Sequence, residues 1–132
     1  MIVDVYMEEE AYNDSLNDLV KKFVMFICKE YSILPRKISI EGYDLVGNNG
    51  MCFDEEEGKF TILVKNGRDL VHLFTTVAHE MIHVKQYMTQ DLGALLDENY
   101  DLPYEERWWE EEAFENAHKL VEKFSEKIKI NG

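Results

Sequence analysis

Two histidines four residues apart bracket a glutamate in the run His79-Glu80-Met81-Ile82-His83. On a helix, residues i and i+4 share one face about a turn apart. Both imidazoles can then close on a single ion while the glutamate points at a water bound to it. Zinc suits nitrogen ligands and lowers the pKa of its water from about 15.7 to about 7, which lets a carboxylate take the proton. The expected chemistry is hydrolysis, with Zn2+ as cofactor, His79 and His83 as ligands and Glu80 as general base. Shuffling this glutamate-rich composition would produce the pattern in roughly one or two chains per hundred, so its surroundings carry the argument. Leu70, Leu73, Phe74, Val77, Ala78, Met81, Ile82 and Val84 leave most of the helix circumference apolar, which predicts burial. Two histidines and a glutamate in such a place need partners. Those partners are an ion or, on the plainer reading, hydrogen bonds of a structural histidine pair.

A catalytic zinc takes a third protein ligand and keeps a fourth position open. The extended pattern HExxHxxGxxH is absent, because Gln86 stands at its glycine and Thr89 at its last histidine. His72 shares the helix face but lies about 10 Å away by helix rise, too far to join the same ion. His118 is the remaining histidine. Among the acids, Glu110 continues the apolar stripe of the last helix (Ala113, Phe114, Ala117, Leu120, Val121, Phe124) one turn backwards. Glu112 falls with the polar Glu115, Asn116 and Lys119. An inward carboxylate is costly without a cation, so Glu110 is the expected third ligand, with Glu112 and then Asp97 as alternatives. An acidic first helical turn, favoured by the helix dipole, accounts for Glu111 and Glu112 without any ion.

These residues need elements to hold them. Ile2 to Met7 reads as a short strand, and Asn13, Asp14 and Ser15 offer helix caps. Leu16, Leu19, Val20, Phe23, Val24, Ile27 and Tyr31 recur at helical spacing and predict a helix ending near Ser32, before Pro35. Lys37 to Leu45 has strand periodicity. Met51 to Asp54 and Lys59 to Lys65 read as a hairpin around an acidic turn closing at Gly58. The motif helix is expected from about Asp69 to Met88, a loop from Gly93 to Pro103, and a final helix from Glu105 to about Ile128.

At 132 residues, with 45% hydrophobic and 12% aromatic content, the chain can build one core and is read as a single domain over residues 1–132. Its net charge of -13 repels phosphate backbones and anionic lipid, so neither nucleic acid nor a membrane is an expected partner. No apolar run approaches the roughly 20 residues of a membrane span. The N-terminus lacks the basic start and apolar stretch of a signal peptide. Two cysteines without CxxC spacing make no disulfide framework, so a cytoplasmic location is expected.

With these residues in hand, the chain resembles the gluzincins, zinc peptidases that combine HExxH with a glutamate on a downstream helix. The closer likeness is to compact metallopeptidases predicted from phage and bacterial genomes. There a segment like Val77-Ala78-His79-Glu80-Met81-Ile82-His83-Val84-Lys85-Gln86-Tyr87 precedes a Trp-Glu-x-Glu-Ala motif, here Trp109-Glu110-Glu111-Glu112-Ala113. The likeness covers about Phe60 to Ala117. It implies His79, His83 and Glu110 as ligands, Glu80 as base, and a peptide or protein as substrate. One departure stands out: many relatives have Asp or Asn four residues after the ligand glutamate, supporting a zinc histidine, whereas this chain has Phe114. That support must come from elsewhere.

The expected fold is α+β and minimally zincin-like. An N-terminal helix packs on a small twisted, mostly antiparallel sheet, followed by the HExxH helix and the Glu110-bearing helix. Tyr100 or Tyr104, in the loop before that last helix, is placed to donate to an oxyanion. The strand Lys59 to Lys65 is placed to pair with an extended substrate. The rival readings are a zinc-stabilised protein-binding domain of a phage or mobile element that does not cut, and a metal-free structural domain.

Overall fold

A computed structural model of the chain describes residues 1–7 and 14–131. Strand β1 (Ile2–Tyr6) leads to helix α1 (Asp14–Glu30), then strands β2 (Lys37–Tyr43), β3 (Gly50–Asp54) and β4 (Lys59–Lys65). Helix α2 (Leu70–Thr89), a short helix α3 (Leu92–Glu98), a 3-10 turn at Tyr104–Glu106 and helix α4 (Trp108–Asn131) complete the chain. The class is α+β. Among the described residues no helix is long and apolar enough to cross a membrane.

The four strands lie in the order β1-β2-β4-β3. β1 pairs with β2 and β2 with β4 in parallel, and only β3 and β4 are antiparallel. The expectation of a mostly antiparallel sheet is therefore corrected. The cause is α1: a 17-residue helix between two strands carries the chain back to the starting end, so the next strand runs parallel. The link after β2 then takes the chain past the sheet to its outer edge, and the expected hairpin brings it back as β4. Glu56, Glu57 and Gly58 all have positive φ in that hairpin turn, the last at +77°. A glycine fits that conformation at little cost.

One sheet face is apolar. Ile38 and Ile40 of β2 sit beside Phe60 and Ile62 of β4 in register, all buried, and Val64 continues the row. Helices cover the sheet: α1 packs on β1 and α2, and α2 on β3 and β4, with Val20, Phe23, Val24 and Ile27 of α1 spaced three and four apart and fully buried. The cap expected at Asn13 lies outside the described residues. Phe23 meets Phe74 of α2 edge-on at 5.1 Å and Phe124 of α4 at 4.9 Å, so one ring ties three helices together.

α2 matches its expected span within a residue at either end. Its N-cap is Asp69, whose carboxylate accepts from the His72 N–H at 2.9 Å. α4 begins at Trp108 rather than Glu105, because Arg107 is extended and the preceding residues form the 3-10 turn. The loop expected from Gly93 to Pro103 is corrected too. α3 occupies its first half, burying Leu92 and partly burying Leu95 and Leu96, at helical spacing. Phe114 is exposed, off the buried stripe of α4, which runs Trp109, Ala113, Ala117, Leu120 and Phe124.

Candidate metal centre

α2 presents His79 and His83 one turn apart, their ring centroids 4.9 Å from each other. Opposite them stands α4. Its small Ala113 and Ala117 are fully buried, and small side chains let helix axes come close. At about 100° per residue, Glu110 and Glu112 lie some 80° to either side of the line through Trp109 and Ala113. Both therefore reach back to α2, at different places. Glu110 Oε1 lies 2.6 Å from His83 Nε2, and Oε2 lies 3.6 Å from His79 Nε2. Glu112 instead accepts from Lys85 Nζ at 2.9 Å and from Gln86 Nε2 at 3.1 Å. The expectation that Glu112 points away with Glu115 is corrected: it is half-buried and paired to α2, though not to the histidines.

Among the described residues, His79, His83 and Glu110 are the group of three that can offer ligand atoms to one ion, all within 4.8 Å of one another. Ligands about 2.1 Å from a tetrahedral zinc stand roughly 3.4 Å apart, so an ion would fit with sub-ångström to ångström adjustments. The donor set, two imidazole nitrogens and a carboxylate, is one of several that can hold zinc. Asp97 is exposed on α3, His118 is exposed against the Phe114 ring, and His72 is exposed at the α2 cap. None joins the cluster.

The residue that sequence reasoning missed is Gln86. It is wholly buried, and its Nε2 donates to the Trp109 carbonyl at 2.9 Å as well as to Glu112. Two acceptors on the nitrogen fix the amide's orientation and turn Oε1 toward His83 Nδ1, 2.7 Å away. That oxygen only accepts, so His83 donates from Nδ1 and keeps that proton when Nε2, which faces Glu110, gives up its own. Gln86 thus supplies the support that Phe114 cannot. The signal was present in the sequence as a glutamine one turn past His83 on a buried helix, where an unpaired amide is costly.

Charges complete the description. Burial alone would raise the Glu110 carboxyl, but hydrogen bonds from His79 and His83 outweigh it and hold Glu110 well below the usual range. Burial alone would lower His83, but its hydrogen bond to Glu110 and the nearby Glu80 and Glu110 charges raise it. Glu80 is buried, and that burial, helped by Glu110, raises its pKa against the pull of His83 and His79. A carboxylate with raised affinity for protons beside two metal-type histidines is suited to general base work.

The cleft over this cluster has a volume of about 240 Å³. Gly50, Met51 and Cys52 of β3 form one wall, and Leu92, Leu96 and Trp109 another. β4 is paired on both sides, so the expectation that it receives an extended substrate is corrected: β3 is the edge strand beside the cleft. Tyr104 is exposed and does not line the cleft, but its phenol is near enough to Glu110 to bond it. Burial, the Glu110 charge and a hydrogen bond to Glu110 all push its phenol up. Tyr100 is 81% exposed and does not line the cleft. Compared with family models, curated proteins and solved structures, the chain matches none.

Proposed function

We propose that this chain is a zinc-dependent peptidase of the gluzincin kind, with His79, His83 and Glu110 as metal ligands and Glu80 as general base. The observation that carries the reading is the convergence of two Nε2 atoms and a carboxylate from separate helices, beside a buried glutamate of raised pKa. Bound zinc would supply Lewis acidity and a water of lowered pKa. Glu80 would take a proton from water in the cleft and return it to the departing amine. Gln86 holds the His83 ring by Nδ1, which would leave Nε2 to hold the ion. The free edge of β3 offers backbone groups to an extended peptide lying along the cleft. Tyr104, held near Glu110, is the candidate donor to the developing oxyanion.

Four substitutions and two measurements test this. Zinc content should be about one per chain in the wild type and in Glu80→Gln and Glu112→Gln. It should fall sharply in His83→Ala and Glu110→Gln. Cleavage of denatured casein should vanish in Glu80→Gln and persist in Glu112→Gln. Zinc retention by Glu110→Gln would remove that residue from the ligand set. A wild type that holds zinc and never cleaves would favour a zinc-stabilised binding domain.

A further inference from the structure

About 21 Å along α4 from Glu110, by helix rise to Phe124, the surface changes character. A groove of about 750 Å³ opens there between α1 and the end of α4. Leu19, Phe26, Ile33, Phe124 and Ile128 line its apolar bed. A second groove of about 340 Å³ continues it across Leu19, Phe124 and Ile128 to Leu70 and Val71 at the start of α2. Large apolar side chains stand in water around it, with Leu34 76% exposed, Val71 67% and Met25 56%. Contiguous apolar surface of this kind marks an interaction site more often than an idle face.

The charge around it is the informative feature. The chain carries 27 acidic side chains against 14 basic ones, yet among the described residues no aspartate or glutamate lines either groove. Four lysines do. Lys22 and Lys29 stand on the α1 side, Lys127 and Lys129 on the α4 side. Among the described residues none of the four pairs with a carboxylate, and Lys127 lies over the Phe26 ring at 5.4 Å. In a molecule of net charge -13, this is an apolar bed edged by Lys22 and Lys29 on α1, by Lys127 in the first groove and by Lys129 in the second, none of them ion-paired among the described residues.

We propose that this face docks an amphipathic helix of a partner protein, one whose apolar stripe is flanked by glutamate or aspartate. Lys22 and Lys29 are seven residues apart, about 10.5 Å along α1, which matches a two-turn repeat of carboxylates on a helix lying alongside. An apolar stripe edged by acids complements an apolar bed edged by lysines, both in shape and in sign. A second copy of this chain is a poorer occupant. A two-fold contact would set lysines against lysines, with no carboxylate among the described lining residues to meet them.

The test uses the full chain and a labelled 18-residue helical peptide with leucines at i, i+3, i+4 and i+7 spacing and glutamates on the flanks. A control peptide carries lysines at the flanking positions. Fluorescence anisotropy should show saturable binding of the acidic peptide and at least tenfold weaker binding of the basic one. Amide shift changes should gather at Leu19 to Lys29 and Phe124 to Lys129. K22E/K29E/K127E, all surface changes whose folding circular dichroism can verify, should reverse the preference. His83→Ala should bind the acidic peptide as the wild type does, which separates this proposal from the metal site. Equal binding of both peptides, no binding of the acidic one, or an unaffected triple variant would overturn it. So would a dimer in sedimentation that Met25→Asp dissociates, since the face would then belong to a second copy.

Discussion

Gln86 is held by three hydrogen bonds in a fully buried position, and each end of its amide meets a different requirement. One end satisfies the Trp109 carbonyl and Glu112, and the other sets the protonated nitrogen of His83. Gln86→Leu keeps the volume and removes every bond. Zinc affinity should then fall ten- to a hundredfold, as measured by competition with a fluorescent chelator. Nitrogen NMR of the metal-free protein should show that the Nδ1–H form of His83 is no longer fixed. Unchanged affinity would mean that α2 alone sets the ring. The same imidazole gives a pH dependence. Its pKa is raised in the folded, metal-free chain, so its pairing with Glu110 stabilises fully below the ordinary value of 6.5 and is lost as pH rises through the raised value. Zinc must displace that proton to reach Nε2. Affinity should therefore climb with pH across the same window, and calorimetry in buffers of differing ionisation enthalpy should register proton release. Affinity that is flat from pH 6 to 8 would rule out His83 as a titrating ligand.

At the scale of elements, the site depends on how closely β3 lies on α2. A Cβ built on Gly50 would stand 2.6 Å from Thr76 Cγ2, 3.1 Å from the Leu63 carbonyl oxygen and 3.2 Å from Glu80 Cγ. The carbonyl belongs to the neighbouring strand and cannot swing aside. Gly50→Ala should cost about 1–3 kcal/mol in urea unfolding, by forcing strand and helix apart. Thr76→Ser, which removes the Cγ2 methyl, should recover part of the loss. No recovery would place the strain at Leu63 instead. Local periodicity made α1, α2 and the β3–β4 hairpin legible in the sequence, along with the inward aim of Glu110. What it missed was non-local. The parallel pairing of β1, β2 and β4 follows from α1 acting as a crossover, which no single strand announces. α3 was hidden by Gly93 near its start, although Leu92, Leu95 and Leu96 already had helical spacing. Gln86 could be recognised as needing partners, but two of its three hydrogen bonds go to α4, more than twenty residues away.

For the whole molecule, two electrostatic effects of opposite sign decide how stability varies with pH. The net charge of -13 at neutral pH opposes compaction, and that repulsion fades as pH falls toward the isoelectric point near 4.6. Against it stand carboxylates whose folded pKa is depressed. Glu112 is partly buried, but hydrogen bonds from Lys85 and Gln86 lower it, and Asp69 is lowered by its bonds to His72. Depressed groups stabilise fully above their ordinary values, 4.5 and 3.8, and lose that contribution as pH falls through the folded ones. The two effects thus act in different windows. From pH 7 to about 5 the relief of repulsion should dominate, and the melting temperature of the metal-free chain should hold or rise. Below about 4.5 it should fall, and the fall should be shallower in Glu112→Gln. Salt separates the contributions at fixed pH. At pH 7, 0.5 M sodium chloride should raise the melting temperature, because screening weakens repulsion spread over the surface more than pairs held at 2.9 Å, such as Lys85 with Glu112. Near pH 4.6 the same salt should do little. A lower melting temperature in salt at pH 7 would mean that specific ion pairs, and not the overall negative field, govern the stability of this chain.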